Sequence, residues 1–105
     1  MKLHELLNDG GVSPNLVIIF PGITILMYAA SLKKTKIVGM LRTLGADFNI
    51  QDSVGRTALH YACKGGDVPT VEEFFKVSGI DYDLPTRGGE TPLMFAVMSG
   101  HIEII

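Results

Sequence analysis

One block recurs three times along this chain: Gly22-Ile23-Thr24-Ile25-Leu26-Met27-Tyr28-Ala29, then Gly55-Arg56-Thr57-Ala58-Leu59-His60-Tyr61-Ala62, then Gly89-Glu90-Thr91-Pro92-Leu93-Met94-Phe95-Ala96. Each copy reads G-x-T-x-L-x-aromatic-A, and the threonines stand 33 and then 34 positions apart. A period of that length marks stacked supersecondary units, each too small to bury its apolar face alone, rather than one irregular core.

The recurring residues have separate physical reasons to recur. Thr24, Thr57 and Thr91 stand where a side-chain oxygen can accept from the open amides of a helix's first turn. Pro92 follows at the one helical position where a missing N–H costs nothing. Leu26, Leu59 and Leu93, with Ala29, Ala62 and Ala96 three residues later, fall on one face of each predicted helix. That face is expected to be core, its alanines allowing close approach of a neighbour. Gly45 is expected to end a second helix, where a residue tolerant of positive φ fits.

The block resembles the helix-opening signature of ankyrin repeats, G-x-T-P-L-H-x-A, and the intervening chain agrees with it. Leu41 to Asp52 is similar to the family's second-helix ending and hairpin, L-x-x-x-G-A-D-x-N-x-x-D, and Leu6 to Asn15 is a fainter version of the same ending. The resemblance implies an all-α solenoid of helix-turn-helix units joined by short β-hairpin loops. It divides the chain into a partial amino-terminal capping repeat at 1–15, repeats at 16–49 and 50–83, and a truncated repeat at 84–105. In the 50–83 repeat, helices are expected near Thr57 to Lys64 and Pro69 to Val77, and in the last one from about Thr91 to Ser99. Gly79-Ile80-Asp81 carries an extra residue before it and departs from G-A-D, which predicts a reshaped turn.

Composition narrows the function classes. A formal net charge of −2, with no Lys/Arg run longer than Lys33-Lys34, lacks the basic stripe that neutralises phosphates, so nucleic acid is not an expected partner. The single cysteine, Cys63, rules out an internal disulfide framework and suits a cytoplasmic or nuclear setting. Leu16 to Leu32 is free of charge, but Pro21-Gly22 in its middle would break a membrane helix that is already short. A hairpin tip at Phe20 to Ile23 followed by a buried helix from Thr24 accounts for the same run, so no membrane partner is expected. Met1 to Asn15 has no apolar centre of the kind a signal peptide needs.

No catalytic constellation emerges. His60 and Cys63 lie three apart, as a thiolate–imidazole pair would on a helix. By the resemblance, however, His60 is the T-P-L-H histidine, a structural tie between hairpins, and Cys63 fills a small core position. Met27 and Met94 replace that histidine elsewhere, implying looser ties. His4, His60 and His101 are far apart, no metal-ligand spacing exists, and Gly65-Gly66 and Gly88-Gly89 mark turns rather than a phosphate loop. Glu72 and Glu73 are expected to be solvated. No enzyme activity, cofactor or metal follows from such a chain.

What remains is recognition of a protein partner, on the concave surface that stacked units create. The resemblance assigns the partner-facing positions to residues flanking the block's glycine and ending helix one. These are Phe20, Pro21, Ile23, Ser31 and Leu32, then Ser53, Val54, Arg56 and Lys64, then Arg87, Gly88, Glu90, Met98 and Ser99. Phe20, Ile23 and Leu32 offer an apolar anchor, while Arg56, Lys64 and Arg87 can pair with carboxylates, which suits a moderately acidic peptide. A runner-up reading makes the chain a structural segment of a larger ankyrin scaffold. On that reading Ile102, Ile104 and Ile105 form an uncapped, sticky end that self-associates. Leu41, Asp47, Phe48 and Asn49 are also similar to the pattern around hairpin asparagines that are hydroxylated in some ankyrin repeats. That makes Asn49 a candidate modification site, although turn stabilisation by its amide is the favoured explanation.

Overall fold

A computed structural model describes residues 17–19 and 22–101. The expected capping unit at 1–15, together with Phe20, Pro21, Ile102, Ile104 and Ile105, lies outside the described residues. The element order is β1 (Val17–Ile19), β2 (Ile23–Thr24), α1 (Ile25–Ser31), α2 (Thr35–Thr43), α3 (Ala58–Gly65), α4 (Val68–Phe75) and α5 (Pro92–Met98). β1 and β2 form an antiparallel ribbon with Val17 opposite Thr24 and Ile19 opposite Ile23. The uncharged run is therefore split into strand, turn and a helix of seven residues. No helix among the described residues is long and apolar enough to cross a membrane.

The three threonines open α1, α3 and α5 as expected: Thr24, Thr57 and Thr91 Oγ1 accept from the amides of Met27, His60 and Met94 at 3.2, 3.4 and 3.4 Å. Each has extended backbone at the cap, and Pro92 occupies the first turn of α5. The inner helices α1, α3 and α5 pack in a row, α1 on α3 and α3 on α5, while α2 packs on α4 in an outer row. This is the stacked helix-pair solenoid. Ala29, Ala62 and Ala96 are buried in the inner row, and the largest buried side chains include Phe74, Leu26, Met27 and Leu41. Phe48 meets Phe74 edge-on at 5.2 Å. Each fully buried large apolar side chain contributes about 1.5–3 kcal/mol, so the core rests on few residues.

One core expectation fails. Leu26 and Leu59 are 2% and 4% exposed, but Leu93 is 52% exposed. α1 and α3 each pack against the outer helix of their own unit, α2 and α4, whereas α5 has no such companion among the described residues. The same bare side carries Val97 and, on α4, Phe75, whose ring lies 5.8 Å from that of Tyr82.

Polar ties fasten the outer row. The hydroxyls of Thr35 and Thr70 are 2.8 Å apart, and Thr70 donates to Asp67 at 2.6 Å. Glu73, read from the sequence as solvated, instead has its carboxylate between Lys76 at 2.7 Å and Arg42 at 3.4 Å. Gly39, lacking a side chain, leaves the space that Glu73 reaches into. The turn before Asp81 is reshaped as anticipated. Gly45 follows α2 after one residue, but α4 is followed by two tight turns, Lys76 N–H to Glu73 and Val77 N–H to Phe74, before the chain reaches Gly79.

The hairpins stack closely. Arg87 N–H donates to the Val54 carbonyl at 2.9 Å, and Gln51 Nε2 bonds both the Gly55 and Pro85 carbonyls. Gly55 has φ +87°, and a Cβ there would sit 2.8 Å from the Arg87 nitrogen. Only glycine fits both constraints.

Candidate functional site

The second and third hairpins, at the ends of the inner helices, share one hydrogen-bond plan and differ in charge. In the second hairpin, Asp52, three residues before Gly55, exchanges backbone bonds with Arg56 and Gly55, and its Oδ1 accepts from the Val54 and Arg56 amides at 3.0 and 2.9 Å. Its Oδ2 accepts from Arg56 Nε at 3.1 Å and from the Tyr61 hydroxyl at 2.5 Å. In the third hairpin Thr86 stands three residues before Gly89. Its Oγ1 accepts from the Gly88 and Glu90 amides, both at 3.2 Å, and donates to Glu90 Oε1 at 2.7 Å. The position after the block's glycine is thus a cation held by an acid in one unit and an acid held by a hydroxyl in the next. In the first unit it is Ile23.

Electrostatics follow the geometry. Burial acts to raise the Asp52 pKa, but the Tyr61 hydroxyl, the Arg56 and Val54 amides and the Arg56 charge together outweigh it and hold the carboxyl below its usual range. Burial and the same carboxylate push the Tyr61 phenol up to about 12. Arg56 also lies over the Tyr61 ring, 5.0 Å from its centroid.

His60 joins the two hairpins. Its Nδ1 accepts from the Thr57 amide at 3.0 Å and its Nε2 lies 2.8 Å from the Glu90 carbonyl. This pattern needs the neutral ring with its proton on Nε2. Burial lowers the His60 pKa, overcoming the opposite pull of the Glu90 carbonyl and of nearby carboxylates. The ring packs edge-on against Phe95 at 5.0 Å. With both nitrogens so engaged, His60 does not serve Cys63, whose thiol is buried and pushed up to about 11. The structural roles expected of both residues hold. Met27 and Met94, in the histidine's place, have no polar group to offer; the first is buried and the second exposed.

The expected partner-facing residues separate into groups. Val54, Arg56, Arg87, Gly88 and Glu90 come together, with Thr86 and Phe95, around a cleft of about 390 Å³ between the second and third hairpins. Lys64, Glu90, Met98 and Ser99 line a neighbouring one of about 200 Å³, again against Phe95. Ser53 is exposed at the second hairpin's tip. Ile23 and Leu32 are not part of either cleft: Ile23 is half-buried on β2, and Leu32 is exposed at the end of α1. Ser31 is exposed and donates to the Tyr28 carbonyl. Asn49, half-buried, donates from Nδ2 to the Gly79 carbonyl at 3.0 Å and accepts at Oδ1 from the Asp81 amide at 2.8 Å.

Sequence reasoning passed over Asp52, Tyr61, Thr86 and Phe95. The available signal was the residue three before each glycine, Ile19, Asp52 and Thr86, which changes chemistry in step with the residue after it. Away from the concave side, an apolar concavity of about 210 Å³ lies between α3, α4 and α5, lined by Leu59, Val71, Phe75 and Leu93 among others. No cluster of His, Cys, Asp and Glu among the described residues could hold a metal ion.

Comparison with known proteins agrees with this architecture. The family model for ankyrin repeats, in three copies, matches residues 26–105. Ankyrin repeat protein L271 of Acanthamoeba polyphaga mimivirus is 36% identical over 69 residues, 66% of this chain and 9% of its own length. The SMC5-SMC6 complex localization factor protein 1 of Homo sapiens is 39% identical over 70 residues, again 66% of this chain and 6% of its own. Interferon antagonist OPG040 of Vaccinia virus is 36% identical over 100 residues, 95% of this chain and 34% of its own. The chain therefore spans between 6% and 34% of the length of these relatives. Repeat period, capped inner helices, the histidine tie and the family match converge, and the chain belongs to the ankyrin repeat family.

Proposed function

We propose that this chain is a protein-protein interaction module that binds a partner peptide or domain on its concave surface of hairpin tips and inner-helix ends. The observation that carries this reading is the hydrogen-bonded backbone frame shared by the second and third hairpins, which carries opposite charges, Arg56 and Glu90, at one equivalent position where the first unit has Ile23. A frame that holds itself together leaves such positions free to be set by a ligand. On this reading Phe20, Ile23, Leu32, Ser53, Val54, Arg56, Lys64, Arg87, Glu90 and Met98 form the partner-facing stripe, arrayed on units 16–49, 50–83 and 84–105 behind a capping unit at 1–15. The module is non-catalytic, needs no cofactor and works in the cytoplasm or nucleus. Two of the relatives carry names that concern other proteins, a complex localization factor and an interferon antagonist, which is in keeping with a binding role. Selection of a random dodecapeptide library on phage, followed by amide NMR of the chain with the selected peptides, tests it. Shifts concentrated at Val54, Arg87 and Met98 support the proposal, and shifts confined to α2 and α4 refute it.

A second reading, a scaffold segment that self-associates through Ile102, Ile104 and Ile105, draws on the exposed apolar side of α4 and α5 formed by Phe75, Leu93 and Val97. Light scattering across a concentration series decides it: a mass that stays at one chain at high concentration removes this reading.

A further inference from the structure

We propose that the cleft between the second and third hairpins is a carboxylate subsite, in which the terminal edge of the Arg56 guanidinium grips an aspartate or glutamate side chain of a bound peptide. This inference rests on reading the concave surface as the partner-binding face. It adds which residue makes the specific contact, and why that residue is ready to make it.

Arg56 has five N–H donors, and Asp52 takes the one on Nε. The two terminal nitrogens make no hydrogen bond among the described residues, so their paired edge is left as a fork of the width a carboxylate fills. The head group is also fixed beforehand. Asp52 is 7% exposed and is itself held by the Val54 and Arg56 amides and the Tyr61 hydroxyl, while the Tyr61 ring lies beneath the guanidinium. An arginine on a free surface would have to give up rotamer freedom on binding; this one has given it up on folding.

Charge in the cleft sets the ligand's valence. Asp52 offsets Arg56, and Glu90, whose Oε1 is held by Thr86, shares the adjoining cleft with Lys64. Arg87 is exposed and, like Lys64 and Glu90, has no ion pair among the described residues; counted over the two adjoining clefts, Arg56, Arg87 and Lys64 against Asp52 and Glu90 leave one positive charge in excess. One spare positive charge matches a carboxylate. A doubly charged phosphate would be set against Glu90 in the same cleft. Val54 and Phe95 supply the apolar walls on which the ligand's methylene groups rest.

The experiment uses the full chain and the phage-selected dodecapeptides. Each peptide is measured by fluorescence anisotropy alongside its Asp→Asn or Glu→Gln version, on the wild type, on Arg56→Lys and on Tyr61→Phe, with thermal unfolding of each variant run in parallel. Neutralising the peptide acid is expected to weaken binding to the wild type by about tenfold or more. On Arg56→Lys, which keeps the charge and loses the fork, the same change should cost about twofold or less. Tyr61→Phe, which frees Asp52 of the hydroxyl but keeps the ring, should show an intermediate dependence on the peptide acid. Should a variant fail to fold, the Arg56 Nε–H signal of the wild type is followed instead, and it should move with the acidic peptide and not with the neutral one. Peptides that shift Val54, Arg87 and Met98 but bind equally well without an acid overturn this subsite and leave the concave reading standing. Peptides that leave those amides unmoved overturn both. Tighter binding of a phosphoserine version than of the acidic peptide overturns the carboxylate assignment.

Discussion

Replacing His60 by alanine should remove a large part of this protein's stability, and the amount can be worked from the groups left behind. The Thr57 amide, in a residue 1% exposed, loses its acceptor at 3.0 Å. A buried donor left without a partner costs about 1–3 kcal/mol. The Glu90 carbonyl loses one donor but keeps the Thr86 amide at 2.8 Å, so its loss is smaller. The edge-on contact with Phe95 contributes about 0.5–1.5 kcal/mol beyond burial. Together His60→Ala should cost about 1.5–4.5 kcal/mol, against a total stability of about 5–15 kcal/mol for a domain of this kind. His60→Met, which copies the first unit's Met27, refills the volume and isolates the hydrogen bonds; it should cost about 1–3 kcal/mol. Urea unfolding followed by circular dichroism measures both. A loss under about 1 kcal/mol for the alanine variant, or wild-type stability for the methionine variant, would refute the claim that the ring ties the hairpins. The sign of the pH dependence follows from the same geometry. The folded-state pKa of His60 lies below its ordinary value of 6.5, so the unfolded chain binds the proton more readily. Stability from this group is complete above about pH 6.5 and is lost as pH falls through the lower folded value. His60→Met should flatten that part of the profile. The loss at more acid pH, where Asp52 and Glu73 take up protons from their lowered pKa values, should remain.

Gly55→Ala should destabilise by about 2 kcal/mol or more, because positive φ penalises any Cβ and the Arg87 nitrogen already occupies its place; urea midpoints within error of the wild type would refute this. Cys63 should react with an aromatic disulfide reagent at pH 8 at least about a hundredfold more slowly than a free thiol, since burial holds it protonated and covered, and a rate matching glutathione would show the site to be open. Asn49→Ala should speed amide exchange at Asp81 and leave α1 unchanged, the side chain being the link between those turns. With both ends of its amide engaged, Asn49 should also carry no added oxygen in protein from its native source; a mass spectrum with one would reverse that expectation.

Most of the fold was legible because the recurring residues encode local geometry. A threonine before a leucine-alanine face needs only its own turn to become a cap, and all three do so. Leu93 was misread because the same local pattern says nothing about whether a companion helix arrives, and burial depends on that neighbour. The stripe residues were found by position, but their grouping was not. Arg56 looked like one of three equivalent cations until Asp52 and Tyr61 were seen to hold it, and Glu90 joined the same cleft with opposite sign. Those contacts cross a hairpin or link it to the following helix. A linear reading of charges therefore missed them.

The uneven distribution of ties between units bears on where a partner would draw its affinity. The second and third hairpins are pinned at their tips and at their base, by Arg87 to Val54 and by His60 to Glu90. The first unit has Met27 in place of the histidine, and among the described residues its side-chain polar fastenings to the second lie in the outer row, through Thr35, Thr70, Arg42 and Glu73, and in the turn at Asn49. The two junctions therefore differ in stiffness at the inner helices: one carries a buried, hydrogen-bonded ring across it, the other a buried thioether that makes no such bond among those residues. A ligand seated between Arg56 and Glu90 meets a surface already in its bound shape. One that reaches on to Ile23 must also freeze the softer joint, and the contacts it gains there are partly spent on that ordering.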